Sequence, residues 1–368
     1  MTRIPLVDLV AQHRTVADEV ERGFARVLGR ASFILGEEVE AFEEAFARFS
    51  GVKHCVAVAN GTDALELVLR AAGVGPGDEV VLPANSFIAT ALAVARAGAT
   101  PALVDCDPVF HLIAVEEVAR KLTPRTKAIL AVHLYGQVAP MEELATLAGP
   151  AGILLLEDAA QAHGATRHGR AAGGLGLAAG TSFYPAKNLG AYGDGGAVLT
   201  DSDAVARKVR ALRNYGSETK YHHPELGFNS RLDTLQAVVL SAKLARLPAW
   251  NEARRQAARR YDRLLAGIPG VHLPATLPGN EHVWHLYVVR VPRRDAVLGA
   301  LNAADVGAAV HYPVPIHLQG AFHHLGHRRG DFRAAEAAAD EVLSLPLFPE
   351  ITPEQQERVA AALRRALG

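Results

Sequence analysis

Short runs of apolar residues recur along the first 200 residues, and patterns typical of amphipathic helices separate them. Several runs are apolar throughout rather than alternating, as expected for strands covered on both faces of a sheet. The candidate strands are residues 55–59, 79–82, 101–104, 128–132, 153–156, 181–184 and 196–200, and the candidate helices between them are residues 63–72, 89–97, 115–122 and 141–148. This alternation predicts an α/β domain built on a mostly parallel, seven-stranded sheet.

The pattern changes near residue 201. Helical patterns cover residues 203–212 and 232–264, the second interrupted by Pro248; strand candidates at 284–291 and 308–311 and helical patterns at 294–303, 332–343 and 353–367 follow. We therefore predict a large α/β domain of residues 1–244 and a smaller C-terminal α+β domain of residues 245–368. The large domain includes an N-terminal segment whose helix, residues 17–28, is expected to pack across it.

Charge and cysteine content restrict the class of protein. The 38 Lys and Arg residues nearly balance the 39 Asp and Glu residues, so nothing indicates a nucleic-acid partner or an acidic membrane surface. The first residues lack the pattern of a signal peptide, and the charge-free stretches are too short to span a membrane. With only Cys55 and Cys106, both expected to be reduced, we expect a soluble cytoplasmic protein.

The first candidate site follows the first strand, where Asn60, Gly61, Thr62 and Asp63 open a predicted helix. A glycine lets a ligand approach the backbone, and the free amides of a helix N-terminus favour an anion. Thr62 adds a hydroxyl donor. An ordinary helix cap, in which Thr62 or Asp63 satisfies the first turn, also accounts for the pattern. The glycine fingerprint of dinucleotide-binding folds does not occur here.

The second candidate site is the end of the apolar strand at residues 153–156, which Glu157 and Asp158 follow. Such carboxylates lie at the edge where α/β folds bind ligands. One of the two, pointing inward, would be partly buried and would need a cationic partner. The alternative is a solvated strand end at which Asp158 caps the next turn.

The third candidate is Lys187, which follows the strand at residues 181–184 and precedes several glycines. In an apolar, ligand-filled pocket a lysine has a lowered pKa and can form a Schiff base. A surface lysine lying along a glycine-rich loop is the alternative. Taken together, the three clusters match pyridoxal 5'-phosphate, whose phosphate, pyridinium nitrogen and aldehyde require amides and hydroxyls, an anion and a lysine. The sequence thus predicts this cofactor.

Longer motifs extend this match from Pro5 to the final helix: PLVDL, NGTDAL, VHLYGQ, EDAAQAHG, SFYPAKNLG, GDGGAV, NSRLDTLQA and HYPVPIHLQ. On these motifs the chain resembles the DegT/DnrJ/EryC1/StrS family of sugar aminotransferases. The resemblance implies the aspartate-aminotransferase fold, which is fold type I of the pyridoxal-phosphate enzymes. It also implies transfer of an amino group from L-glutamate to a keto sugar attached to a nucleotide.

The resemblance also implies roles for single residues. Lys187 would form the Schiff base and shuttle protons, and Asp158 would face the pyridinium nitrogen. The other cofactor contacts would be Gln161 on the ring hydroxyl, Phe87 stacked on the ring, and Gly61, Thr62 and Ser182 on the phosphate. Asn229 would complete the phosphate site from a second subunit, which implies a homodimer with shared active sites. Judged by its residue type alone, Phe87 could equally be a core aromatic.

Within the family, residues 213–223 and the HYPVPIHLQ segment resemble members that aminate carbon 3 of a 6-deoxy keto sugar linked to thymidine diphosphate (dTDP). Tyr184, His311 and Tyr312 would then contact the hexose. Lys220 and Tyr221 would lie near the diphosphate, where a cation and a phenol donor suit the ligand. The alternative for Lys220 is a charge on a mobile loop.

Other interpretations stay open. The same fold could aminate a uridine-diphosphate 3-keto sugar acid, a 4-keto-6-deoxy sugar nucleotide or a cyclitol ketone. A non-catalytic regulator that binds pyridoxal phosphate is a different class, against which the intact Lys187, Asp158 and Gln161 argue. The missing glycine fingerprint disfavours a nicotinamide-dependent sugar reductase. No metal is expected, because glycines interrupt the helical spacing of the histidines between residues 317 and 327.

Overall fold

The computed structural model describes residues 2–368. Its α-helices are α1 (Leu9–Arg14), α2 (Ala17–Arg30), α3 (Glu37–Ser50), α4 (Gly61–Ala71), α5 (Ile88–Arg96), α6 (Val115–Lys121), α7 (Met141–Ala148), α8 (Asp203–Arg213), α9 (Thr234–Leu244), α10 (Leu247–Leu265), α11 (Arg294–Ala303), α12 (Arg333–Glu341) and α13 (Pro353–Leu367). The strands are β1 (His54–Val58), β2 (Glu79–Pro83), β3 (Thr100–Val104), β4 (Thr126–Val132), β5 (Leu154–Asp158), β6 (Thr166–Arg167), β7 (Arg170–Ala171), β8 (Ala178–Ser182), β9 (Gly196–Thr200), β10 (Asn280–Glu281), β11 (Tyr287–Arg290) and β12 (Val342–Leu345). Within residues 2–368, no helix combines the length and the hydropathy needed to cross a bilayer.

Seven strands form one central sheet in the order β1-β9-β8-β5-β4-β2-β3, in which only β9 runs antiparallel to its neighbours. All seven candidate strands of the sequence lie in this sheet, so the predicted α/β class is confirmed. The prediction for β8 is shifted, however, because the strand covers Ala178–Ser182 rather than residues 181–184. Its alanines and glycine are poor strand formers in isolation, and pairing with β5 and β9 determines their conformation.

The register of the parallel strands determines where the candidate site lies. Asp158, the last residue of β5, pairs with Val132 of β4 on one side and with Gly180 of β8 on the other. The carboxyl ends of these strands, and the loops that follow them, therefore meet at one edge of the sheet. The N-terminus of α4 lies at the same place, because Gly61, its first residue, is in contact with Ser182, the last residue of β8.

The C-terminal part has its own hydrophobic core, formed mainly by α10, α11, α13 and the β11–β12 pair. Here the sequence-based boundaries were wrong in two places. The helical pattern at residues 232–264 is two helices, α9 and α10, separated at Ala245 and Arg246. The pattern at residues 332–343 ends at Glu341, because Val342–Leu345 leaves the helix and pairs with β11. The candidate strand at residues 308–311 forms only one bridge, between Ala309 and Ser344.

The chain then returns from the C-terminal part to the large sheet. Ile316 N–H donates to Ala84 O at 2.8 Å. Ile316, Phe322 and Phe332 pack in the core that includes Leu82 and Leu103. The Asp105 carboxylate accepts from two first-turn amides of α12, those of Ala334 (2.9 Å) and Ala335 (2.8 Å). The domain boundary at residue 245 stays a prediction, and residues 316–335 belong by packing to the large core.

Candidate active site

A cavity of about 560 Å³ lies at the carboxyl ends of β5 and β8, beside the N-terminus of α4. Most of the predicted site residues line it: Gly61, Thr62, Phe87, Asp158, Gln161, Ser182, Tyr184, Lys187, His311 and Tyr312. Three do not. Lys220 and Tyr221 line an open surface groove formed by residues 214–227, and Asn229 is exposed and pairs with Asn214. In one chain, therefore, the structure gathers ten of the thirteen predicted residues.

The N-terminus of α4 has the form of an anion cradle. Its cap is Asn60, whose Oδ1 accepts from Asp63 N–H at 2.9 Å, so neither Thr62 nor Asp63 has the capping role considered above. The amides of Gly61 and Thr62 remain at the cavity wall. A Cβ on Gly61 would lie 2.5 Å from the Cβ of Ser182, so only glycine lets the serine approach this closely. Two amides and the hydroxyls of Thr62 and Ser182 therefore surround a space suited to a phosphate.

Glu157 and Asp158 are both buried, on opposite faces of β5, and Glu157 faces away from the cavity. Ala139 N–H donates to His133 Nδ1 at 3.1 Å, so the ring proton is on Nε2, which donates to Glu157 Oε2 at 2.8 Å. The amides of Gly173, Leu175 and Gly176 donate to the same carboxylate at 2.7–2.8 Å. Burial opposes the charge, but the bonds from His133 and the amides hold the pKa of Glu157 below its ordinary value.

Asp158, in contrast, lies at the cavity wall with fewer donors. Thr90 Oγ1 donates to its Oδ2 at 2.8 Å, and Ala160 N–H donates to its Oδ1 at 3.2 Å. Burial raises the pKa of Asp158, and these two hydrogen bonds oppose the rise. The charge of Lys187 also opposes the rise, but within residues 2–368 no cationic side chain forms an ion pair with this carboxylate. A protonated ring nitrogen in the cavity would supply the cationic partner.

Lys187 lies in a tight loop after β8. Lys187 N–H donates to Tyr184 O at 2.8 Å, and Ala191 N–H closes the loop by donating to Phe183 O at 2.8 Å. Burial lowers the pKa of Lys187 to about 8, although the charge of Asp158 acts in the opposite direction. A lysine that faces a cavity and has a pKa near neutrality is a suitable amine nucleophile and proton carrier. The interpretation of Lys187 as a surface lysine does not explain this burial.

Gln161 is fixed by a residue that sequence reasoning missed. Tyr135 N–H donates to Gln161 Oε1 at 2.7 Å, which turns Nε2 towards the cavity and the Tyr312 hydroxyl, 3.1 Å away. Gln161 therefore presents a donor to the cavity. Tyr135 adopts a left-handed conformation (φ 60°), and its hydroxyl donates to His311 O. The VHLYGQ motif contained Tyr135, but only the fold shows which group its amide reaches.

The aromatic and histidine residues form the rest of the wall. Phe87 is 51% exposed and is no core aromatic; its ring centroid is 5.3 Å from that of Tyr312. His311 Nδ1 is 2.8 Å from Ser344 Oγ, and burial lowers the pKa of His311 to about 4, so the ring is neutral at pH 7. His285, which the sequence did not single out, also lines the cavity, with Nδ1 3.2 Å from Asn188 Oδ1.

The histidine-rich segment lies elsewhere. His317 Nε2 is 2.9 Å from Glu336 Oε1, and His327 Nδ1 is 3.4 Å from Asp331 Oδ2. No group of three or more His, Cys, Asp or Glu side chains in residues 2–368 has an arrangement that could hold a metal ion.

The fold and the cavity define an aminotransferase of fold type I that uses pyridoxal phosphate. The sequence pattern of the DegT/DnrJ/EryC1/StrS aminotransferase family matches residues 15–364, and the chain belongs to this family. The resemblance drawn from the motifs, the cofactor and the enzyme class are thereby confirmed.

Individual proteins show how close the similarity is. A "Pleiotropic regulatory protein" of Geobacillus stearothermophilus is 47% identical over 358 residues, 97% of this chain and 96% of the relative. A dTDP-3-amino-3,4,6-trideoxy-alpha-D-glucose transaminase of Streptomyces venezuelae is 45% identical over 362 residues, 98% of this chain and 96% of the relative. The crystal structure of S. venezuelae DesV in complex with a ketimine intermediate superimposes with a TM-score of 0.97 at 45% identity, covering 99% of this chain and 98% of that one.

Proposed function

We propose that this chain transfers an amino group from L-glutamate to the 3-keto group of a 6-deoxyhexose linked to dTDP. The observation that carries the proposal is the single cavity that contains an amine with a lowered pKa, a buried carboxylate and an anion cradle. The dTDP-linked product of the Streptomyces venezuelae relative supports the choice of acceptor. Cys55 and Cys106 are free and buried, which is consistent with a cytoplasmic enzyme.

Each residue of the cavity would have a defined task. Pyridoxal phosphate, when bound, supplies an electron sink for the pair left behind when a proton leaves the carbon that bears the amine. Lys187 would hold the cofactor until the amine of the donor displaces it. The freed Lys187 amine would then take that proton and deliver it to the cofactor carbon. Asp158 would hold the positive charge of the ring nitrogen, Gln161 would donate to the ring hydroxyl, and Phe87 would stack on the ring. Gly61, Thr62 and Ser182 would hold the phosphate.

The sugar and its nucleotide would occupy the rest of the site. Tyr184, Tyr312 and the neutral His311 would bind hexose hydroxyls, which need hydrogen-bond donors and acceptors rather than a counterion. We propose that Asn229, Lys220 and Tyr221 act on the cavity of a second copy in a homodimer, Asn229 at the cofactor phosphate and the other two at the diphosphate. Leu226 in the same loop is 95% exposed, which supports a surface that another chain covers.

A non-catalytic regulator is the second candidate, because the relative from Geobacillus stearothermophilus is named as a regulatory protein. The complete set of Lys187, Asp158 and Gln161 in one cavity favours turnover.

Single-turnover kinetics would test both candidates. The enzyme is first converted by glutamate to its amino form, and the recovery of the pyridoxal absorbance is then followed with a panel of ketones. The panel contains dTDP-linked 3-keto and 4-keto 6-deoxyhexoses, a uridine-diphosphate 3-keto sugar acid and a cyclitol ketone. We expect the dTDP-linked 3-keto sugar to react about 100-fold faster than the others, equivalent to about 3 kcal/mol of transition-state discrimination. A faster reaction with another ketone would reassign the substrate, and no reaction with any would favour the regulator.

A further inference from the structure

Lys243 is a buried cation that the chemistry above does not use. It lies in the last turn of α9 and is only 1% exposed. Burial lowers its pKa to about 8, and no carboxylate of residues 2–368 opposes that shift. An uncharged side chain of similar length would fill the position without this penalty. The contacts of the ammonium should therefore explain why a lysine stands here.

Both contacts of the ammonium go to the segment that follows Lys187. Lys243 Nζ donates to Gly190 O at 2.7 Å. The same atom lies 4.5 Å from the centroid of the Tyr192 ring, within the range of a cation–π interaction. A hydrogen bond from an ammonium is stronger than one from a neutral donor, so Gly190 is held firmly.

Gly190 is in turn coupled to the chain on the other side of Lys187. A Cβ on Gly190 would lie 2.2 Å from Pro185 O, so the two backbones are in direct contact. The hydrogen bond from Ala191 N–H to Phe183 O closes the same loop. A displacement of Gly190 would therefore move Pro185, two residues before Lys187.

We infer that Lys243 is a positioning residue for the amine of Lys187, because its ammonium clamps Gly190 and so holds the loop of residues 183–191 in the shape that aims Lys187 into the cavity. This inference rests on the proposed role of Lys187. The clamp itself is a property of the protein without cofactor, so it can be measured separately from catalysis.

Hydrogen exchange on the apoenzyme tests the clamp directly. Lys243→Met keeps the length of the side chain and removes both the charge and the donor. Lys243→Gln removes the charge but keeps an N–H donor, and Lys127→Met is the control, because Lys127 is exposed. For Lys243→Met we expect amide exchange in residues 183–192 to be at least about 10-fold faster than in wild type, with little change elsewhere. Lys243→Gln should restore part of the protection.

Kinetics of the loaded enzyme supply the second readout. With glutamate, Lys243→Met should lower the rate of the first half-reaction about 10-fold and leave KM unchanged, because a misplaced base affects the proton transfer and not binding. Wild-type exchange and rates in Lys243→Met would overturn the inference. So would an increase of exchange spread over the whole chain, which would make Lys243 a general stability residue.

The outcomes separate this inference from the proposed function. If Lys243→Met does not fold, Lys243→Gln takes its place: we expect exchange in residues 183–192 to be faster than in wild type, and exchange and rates equal to wild type would overturn the inference. Borohydride treatment of the wild-type enzyme that leaves Lys187 unmodified would refute the proposed role of Lys187, while the exchange data would still report whether Lys243 clamps the loop.

Discussion

The cavity and the groove of residues 214–227 differ in how the chain builds them. The cavity is formed by the ends of buried strands, and its functional groups are held by neighbouring backbone and side chains, as Gln161 is by Tyr135. The groove is an open surface on which Tyr221 is 84% exposed and Leu226 is 95% exposed. One chain thus supplies most of the groups that suit a cofactor, whereas Asn229 and the groups proposed for the nucleotide lie outside the cavity.

The difference indicates which functions a monomer could retain. Groups in the cavity should bind cofactor and hold protons whatever the oligomeric state, whereas Asn229, Lys220 and Tyr221 should matter only where a second chain brings them to a cavity. The predictions that follow are ordered by the size of the expected effect.

Lys187→Ala should abolish transamination, lowering the rate by about 10⁴-fold or more, because both the attachment point and the proton carrier are lost. Borohydride reduction followed by peptide mass spectrometry should find the cofactor on residue 187 in wild type and on no residue in the variant. Lys127→Ala, at an exposed lysine, is the matched control. Residual turnover within 10-fold of wild type would contradict the assignment of the cavity.

Asp158→Asn should slow proton abstraction by about 10³-fold and leave the cofactor bound, because the amide cannot hold a positive charge on the ring nitrogen. Thermal stability should change little, since burial already disfavours the charge of Asp158, as its raised pKa shows. Stopped-flow measurement of the reaction with glutamate gives the rate. A variant as fast as wild type would remove Asp158 from the catalytic residues.

Asn229→Asp should weaken cofactor binding by about 100-fold, because a carboxylate would repel the phosphate. The informative experiment mixes this variant with Lys187→Ala after partial unfolding and refolding. If Asn229 acts on the partner's cavity, half of the dimers are mixed and each has one intact site, so activity should recover to about a quarter of wild type. If Asn229 acted within its own chain, mixing would restore nothing.

Glu157→Gln should lower the free energy of unfolding by about 2–4 kcal/mol and have a small effect on the rate. The variant would place an amide nitrogen against N–H donors that meet a carboxylate oxygen in the wild type. The pKa of Glu157 is lowered in the fold, so its stabilisation is present above the ordinary value of 4.5 and is lost as the pH falls below it. Melting curves of the two proteins should therefore converge at acidic pH. A rate loss as large as that of Asp158→Asn would break the distinction between the two carboxylates.

Lys220→Ala should raise KM for the nucleotide sugar about 10-fold and leave kcat within two-fold, because the loss of one phosphate contact affects binding alone. The reaction with glutamate, which has no diphosphate, is the internal control. An unchanged KM would favour the interpretation of Lys220 as a charge on a mobile loop.

The same comparison shows what the sequence could predict. Gly61, Asp158 and Lys187 follow strands whose ends a parallel sheet brings together, so local motifs were enough to place them at one edge. The contact of Tyr135 with Gln161 depends on a left-handed residue and on a partner 26 positions away, which no local pattern encodes. The helical pattern of residues 332–343 included Val342 and Leu343, the first two residues of β12, because only the pairing with β11 reveals this strand.

The return of residues 316–335 to the large core has a practical consequence for anyone dividing the chain. A cut at residue 245, by protease or by gene design, would leave the C-terminal fragment without the surface that covers Ile316 and Phe322, and would leave Asp105 without the helix amides it accepts from. The two fragments should stay associated after cleavage and aggregate when expressed apart. Swapping modules between relatives should accordingly transfer residues 316–335 together with the N-terminal piece.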